Sequence, residues 1–222
     1  MVLQMYLREQ AAFIRRVIIM HRLVSMSIEV AAASVVLIPI LLLYQKLIFH
    51  NVIKTFVYII VTLYLTAMCS LVGFPYITGL HVVFSYNFIP LAGMMSGLSA
   101  SFLNILLFIP LGILVPCIWS KYRMMKKMVL LGFLTSLSIE VLQIFTFRAT
   151  DVDDLITNVT GTIIGYFISR VIIKKSPQLD KLGSREGELY LLYGTVAAVM
   201  FFVQPLIYPF LWRLIESMKV FL

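Results

Sequence analysis

The chain has 222 residues, of which 61% are hydrophobic and only 13% charged, and its net charge is +8. A soluble domain carries about a quarter charged residues, so a soluble globular class is excluded and a single membrane-embedded helical bundle takes up the whole length. The positive charge does not indicate a nucleic-acid partner: the cations lie in short segments between apolar spans, where they set orientation and meet anionic lipid.

Taken in chain order, residues 1–20 lack an apolar core followed by a small-residue cleavage site, so no cleavable signal peptide is expected. Arg8, Arg15 and Arg22 instead recur every seven residues among Leu3, Tyr6, Phe13, Ile14, Val17 and Ile18. That spacing predicts a helix lying in the membrane interface, or equally the charged flank of the first span. Crossing the hydrocarbon core takes roughly 20 apolar residues. Six segments meet that length: 23–44, 52–74, 101–120, 128–147, 155–173 and 189–212. The last contains Pro205 and Pro209 and is expected to kink. The stretch 75–100 is apolar but interrupted by Pro75, Gly79, Pro90, Gly93 and Gly97, which reads as a surface or re-entrant segment. Residues 174–188 form the polar linker. The predicted fold is all-α: a polytopic transmembrane bundle of about six spans with an interfacial N-terminal helix.

Lys and Arg set orientation. The loops 45–54, 121–127 and 170–188 share one side and contain Lys46, Lys54, Lys121, Arg123, Lys126, Lys127, Arg170, Lys174, Lys175, Lys181 and Arg185. That side is expected to be cytoplasmic. It leaves Arg8, Arg15, Arg16 and Arg22 outside, against the rule, a conflict that disappears if 23–44 does not span fully.

Ionisable groups inside a bilayer cost several kcal/mol unless paired, so each needs a reason. Most fall in two stretches. One is Asn104-x3-Phe108-x-Pro110-x-Gly112; the other runs from Glu140 and Gln143 through Arg148, Asp151, Asp153, Asp154 and Asn158 to Gly161 and Gly165. Glu140 and Gln143 share a helix face, roughly 10 Å or less below the outer end. Asp154, Asn158, Gly161 and Gly165 form one stripe. The polar residues therefore converge in the outer third of the bundle. Glu140 is the most telling of them, since an acid at that depth must be protonated, paired or hydrated. The aspartates read partly as caps of a helix start, and Arg148 is placed to pair with them. Gly161 and Gly165 read as close helix packing, and Pro110 and Gly112 as a kink or loosening of the third span. Glu29 is a lone acid in the first span. Cys69 and Cys117 read as free thiols, and His21, His50 and His81 have no zinc-like spacing. No cofactor is expected, while a divalent ion on the carboxylates stays open.

These motifs, with Asn87-Phe-Ile-Pro90 and Ser138-Ile-Glu140-x2-Gln143, occur in order over residues 52–173, and the ordered set resembles the VanZ-like family of bacterial membrane proteins. The resemblance divides the chain into an N-terminal segment and first span (1–51), a four-span core (52–173), and a linker with a last span (174–222). It implies a multi-pass cell-membrane protein with an outward polar site and a role in the cell envelope; the family's namesake lowers susceptibility to teicoplanin-type glycopeptides. The reading favoured is a non-enzymatic protein that binds or modulates a lipid-linked envelope precursor or a lipoglycopeptide at the outer face. One alternative is a membrane enzyme on a lipid-linked substrate, with Glu140 or an Asp as general base and Arg148 holding a phosphate or carboxylate. No Ser, His or Cys nucleophile constellation supports it. The other is a small transporter, against which stand the absence of an internal repeat and the shallow polar groups.

Overall fold

The computed structural model describes residues 2–77, 86–87, 98–145 and 150–219. Seven α-helices account for most of them: α1 Val2–Tyr44, α2 Val52–Val72, α3 Leu98–Ile118, α4 Met125–Gln143, α5 Val152–Lys175, α6 Glu186–Ala198 and α7 Gln204–Lys219. Two-residue strands, β1 Tyr86–Asn87 and β2 Thr150–Asp151, pair in parallel with Asn87 opposite Asp151.

Five stretches among the described helices are long and apolar enough to cross a membrane: Met20–Phe49, Val52–Val72, Ser101–Ile118, Val152–Lys175 and Glu186–Ser217. Only 28% to 44% of each is buried within the protein, so most of their apolar residues face outward, an arrangement that suits lipid and not water. Helix α4, 19 residues with Lys126 and Lys127 in its first turn and Glu140 near its end, completes a bundle of six. Residues 2–20, read as an interfacial helix or equally as the charged flank of the first span, form the first part of a single helix, since α1 runs unbroken from Val2 to Tyr44. No helix breaker separates the arginine-bearing stretch from the apolar one, and Pro39 is accommodated inside the helix.

Local sequence explains the boundaries. After α1 a π-helical turn, Gln45–Phe49, ends at His50, whose φ is 48°. Asn51 then caps α2, its Oδ1 accepting the Lys54 N–H at 3.0 Å, which satisfies one of the orphan donors of a helix start. Gly73 closes α2 in the left-handed region at φ 72°, where a Cβ would be strained. The expected distortion near Pro205 is a second π-helical turn, Val199–Val203, joining α6 to α7. Helix α3 remains helical through Pro110 and Pro116.

The most extensive helix contact is α3 against α5. It is made backbone to backbone. A Cβ on Gly165 would collide with the Ile109 carbonyl oxygen, one on Gly161 with that of Ile105, and one on Gly112 with that of Thr162. Gly112 and Gly165 also face each other directly, a Cβ on Gly112 standing 2.9 Å from the Gly165 Cα. Helix α4 packs on the neighbouring face of α5, where Gly132 admits the Thr162 side chain. Gly165→Ala is therefore expected to cost about 1–3 kcal/mol of stability by overpacking and so to lower the melting temperature of the detergent-solubilised protein. Gly194→Ala, where an added Cβ meets nothing within 4 Å, should leave it unchanged or slightly raised.

Candidate functional site

The α3–α5 contact carries a polar layer at one end. Asn104 lies three residues into the apolar stretch Ser101–Ile118, and its Nδ2 donates to Asp154 Oδ1 at 2.6 Å. One turn along α5, Asn158 turns toward α4, its Nδ2 donating to Ser136 Oγ at 2.9 Å. Its Oδ1 has no hydrogen-bond partner among the described residues. Asp153 and Thr157 are buried beside them, and Thr157 Oγ1 donates to the carbonyls of Asp153 (2.9 Å) and Asp154 (3.0 Å). Glu140 and Gln143 are buried on one face of α4, and Gln143 Nε2 reaches the Val72 carbonyl at the end of α2, 3.4 Å away.

Glu29, from α1, joins the same end of the bundle. It accepts from Ser25 Oγ at 3.3 Å and from the Ser70 hydroxyl of α2. Ser25 also meets the Tyr208 hydroxyl of α7 at 3.0 Å, and Arg22 Nη2 donates to the Leu71 carbonyl at 3.1 Å. Glu29 and Ser25 thus tie α1, α2 and α7 together near the end of α2, two residues from where Gln143 arrives.

Of the residues singled out from sequence, Asn104, Glu140, Gln143, Asp154 and Asn158 belong to this end of α3, α4 and α5. Asp151 is placed by its backbone pairing with Asn87; its side chain and Arg148 lie outside what is described, as does the rest of the stretch 88–97. Gly112, Gly161 and Gly165 form the helix contact, and Pro110 lies within α3. Asp153, read only as part of a capping run, is 2% exposed. Ser136 and Thr157 were not signalled at all; their small hydroxyls read as neutral in an apolar helix. Among the described residues no three His, Cys, Asp or Glu side chains come together to hold a metal ion.

A second polar centre, at the opposite end, has no counterpart in the sequence reading. Lys54 and Glu188, 134 positions apart, form a buried ion pair at 2.7 Å, and their residues are 5% and 6% exposed. The other Glu188 oxygen accepts from Tyr58 OH at 2.6 Å and from the Arg185 backbone N–H at 2.8 Å. Tyr58 stacks on Trp119 with centroids 5.4 Å apart, and Trp119 Nε1 donates to the Arg185 carbonyl at 3.0 Å. Phe49 meets Tyr58 edge-on at 4.9 Å. Nearby, the Glu186 carboxylate bonds Lys121 and holds its ammonium above the ordinary lysine range. Lys54 read as one orienting charge among eleven, and nothing local to either residue announces the pair.

Fold and site together define a multi-pass α-helical membrane protein with a polar layer at one end of a glycine-packed helix pair. The family model VanZ/LLP1 matches residues 55–173, more than half of the chain and the part that contains most of α2, all of α3 and α4, and nearly all of α5. The chain belongs to the VanZ/LLP1 family. No curated protein and no solved structure matches it.

Removing one partner of a buried ion pair leaves an uncompensated charge, at a cost of about 3–5 kcal/mol. Glu188→Gln is expected to destabilise the solubilised protein on that scale. Lys54→Met combined with Glu188→Gln should recover much of the loss, because the amide still accepts from Tyr58 and Arg185. Thermal melts of the two single variants and the double variant read the coupling; strict additivity would show the pair to be energetically idle.

Proposed function

We propose that the Asn104–Asp154 end of the bundle is an outward-facing recognition site of a bacterial cell-envelope protein. It binds or modulates a lipid-linked envelope precursor, or a lipoglycopeptide directed at one, and so lowers susceptibility to teicoplanin-type glycopeptides. The observation that carries this reading is the burial of Glu140, 3% exposed, and Asp153, 2% exposed, where α3, α4 and α5 converge. Two carboxyl groups taken out of water are costly to keep. Packing of three apolar helices needs neither, whereas recognition of a polar headgroup at a membrane surface calls for polar groups at this depth, among them Asn158, whose Oδ1 has no hydrogen-bond partner among the described residues. The exposed apolar side chains of α3, among them Phe102, Leu103 and Leu106, provide an adjoining path for a lipid tail. The family assignment supports the same reading, as does the excess of Lys and Arg at the other end, by which the polar layer is read as outward-facing.

The test is teicoplanin susceptibility of a Gram-positive host expressing the wild type, Glu140→Gln or Asp154→Asn at equal membrane levels. The wild type is expected to raise the tolerated concentration, and both variants to return it to that of the empty-vector strain. Variants that match the wild type would reduce the polar layer to capping and pairing. A silent wild type would remove the antibiotic connection.

A further inference from the structure

The end of the bundle opposite the polar layer holds a cavity of about 860 Å³ lined by Arg123, Arg170, Val171, Ile173, Lys174 and Lys175. Four of these six residues are cationic and none is acidic. Lys174 and Lys175 occupy the last turn of α5, where the helix dipole favours cations. That accounts for two of the charges. It does not account for Arg170, a turn earlier; Arg123 comes from the α3–α4 connection, where its Nε donates to the Pro116 carbonyl at 3.3 Å. Tyr166 holds the two arginines together: its buried hydroxyl donates to the Arg123 carbonyl at 2.8 Å and accepts from Arg170 Nη1 at 3.3 Å. Among the described residues no ion pair joins Arg170, Lys174 or Lys175 to a carboxylate. The apolar part of the lining continues along α5 as an exposed face, Phe167, Ile168 and Val171.

We propose that this cavity is a binding site for an anionic phospholipid. The phosphate sits among Arg123, Arg170, Lys174 and Lys175, and the acyl chains run along Phe167, Ile168 and Val171. Guanidinium groups suit phosphate oxygens by their planar fork. A cationic pocket at a helix end, opening onto a lipid-facing apolar face, has the two-part shape of a phospholipid. A free phosphate would use the cations and leave the apolar face without a role.

The experiment titrates detergent-solubilised full-length protein with fluorescent phosphatidylglycerol, then with phosphatidylcholine of the same acyl composition, and competes each with inorganic phosphate. Saturable binding of phosphatidylglycerol is expected, with little binding of phosphatidylcholine and little displacement by millimolar phosphate. Arg170→Gln with Lys174→Gln should weaken phosphatidylglycerol binding about tenfold or more. Lys126→Gln with Lys127→Gln, which removes the same charge from α4 outside the cavity, should weaken it far less. A loss as large in the second pair overturns the site in favour of diffuse attraction. Equal binding of phosphatidylcholine, or full displacement by inorganic phosphate, overturns the lipid. Melting temperatures of both variants in neutral detergent establish that each is folded.

Discussion

Helices α3 and α5 meet backbone to backbone at Gly112, Gly161 and Gly165, and the Asn104–Asp154 bond of the polar layer depends on that separation. Lipid tails are as apolar as leucine, so two membrane helices gain nothing from hiding apolar surface against each other. What holds them is close contact, and Gly112, Gly161 and Gly165 allow it by presenting no Cβ to the carbonyls of Thr162, Ile105 and Ile109. At this spacing Asn104 reaches Asp154 at 2.6 Å. An increase of about 1 Å would take that bond beyond hydrogen-bonding range. The glycines have no chemistry of their own, yet they set whether the amide and the carboxylate can meet.

Helix α5 serves two neighbours with two adjoining stripes. Gly161 and Gly165 face α3, while Asn158 and Thr162 face Ser136 and Gly132 of α4. The sequence spacing i, i+4, i+7 and i+11 puts Asp154, Asn158, Gly161 and Gly165 on one stripe; in the structure Asp154, Gly161 and Gly165 meet α3, while Asn158 turns to α4. That Glu140 and Gln143 share a face of α4 was legible from their i, i+3 spacing. Depth was less so. Asp153 and Asp154 are adjacent, about 100° apart around the helix, and composition cannot say which of the two points inward. The structure turns Asp153 in and bonds Asp154 to Asn104.

The Lys54–Glu188 pair marks the limit of local reasoning. A lysine at the start of an apolar helix reads as an orienting charge, and a glutamate after a polar linker reads as solvated. Only the tertiary arrangement brings them together, and it does so with every polar atom engaged by an aromatic ring, a backbone group or the opposite charge. The long helix from Val2 agrees with reading residues 1–20 as the charged flank of the first span. A change from a charged to an apolar face alters a helix's surroundings without breaking its hydrogen bonds, so a change in composition is not a boundary.

The helices outside the VanZ/LLP1 match attach to the core mainly through α2. Packing divides the bundle into two groups: α1, α2, α6 and α7 on one side, and α3, α4 and α5 on the other. Polar bonds cross the seam at both ends and between them. Tyr64 donates to the Leu107 carbonyl at 2.8 Å, Thr135 meets Tyr193 at 3.2 Å, Gln143 reaches Val72, and Trp119 reaches Arg185. The π-helical turn of the last span belongs to the same logic. In a regular α-helix the Phe201 carbonyl would accept from residue 205, which is Pro205 and has no N–H. That carbonyl instead accepts the Ile77 N–H at 3.2 Å, so the chain leaving α2 is tied to a point roughly 22 Å along the last span from Glu186. In lipid a freed carbonyl must find a donor. Here the proline creates the acceptor and the loop after α2 supplies the donor, which makes the distortion of the last span a joint between a helix outside the family match and the core within it.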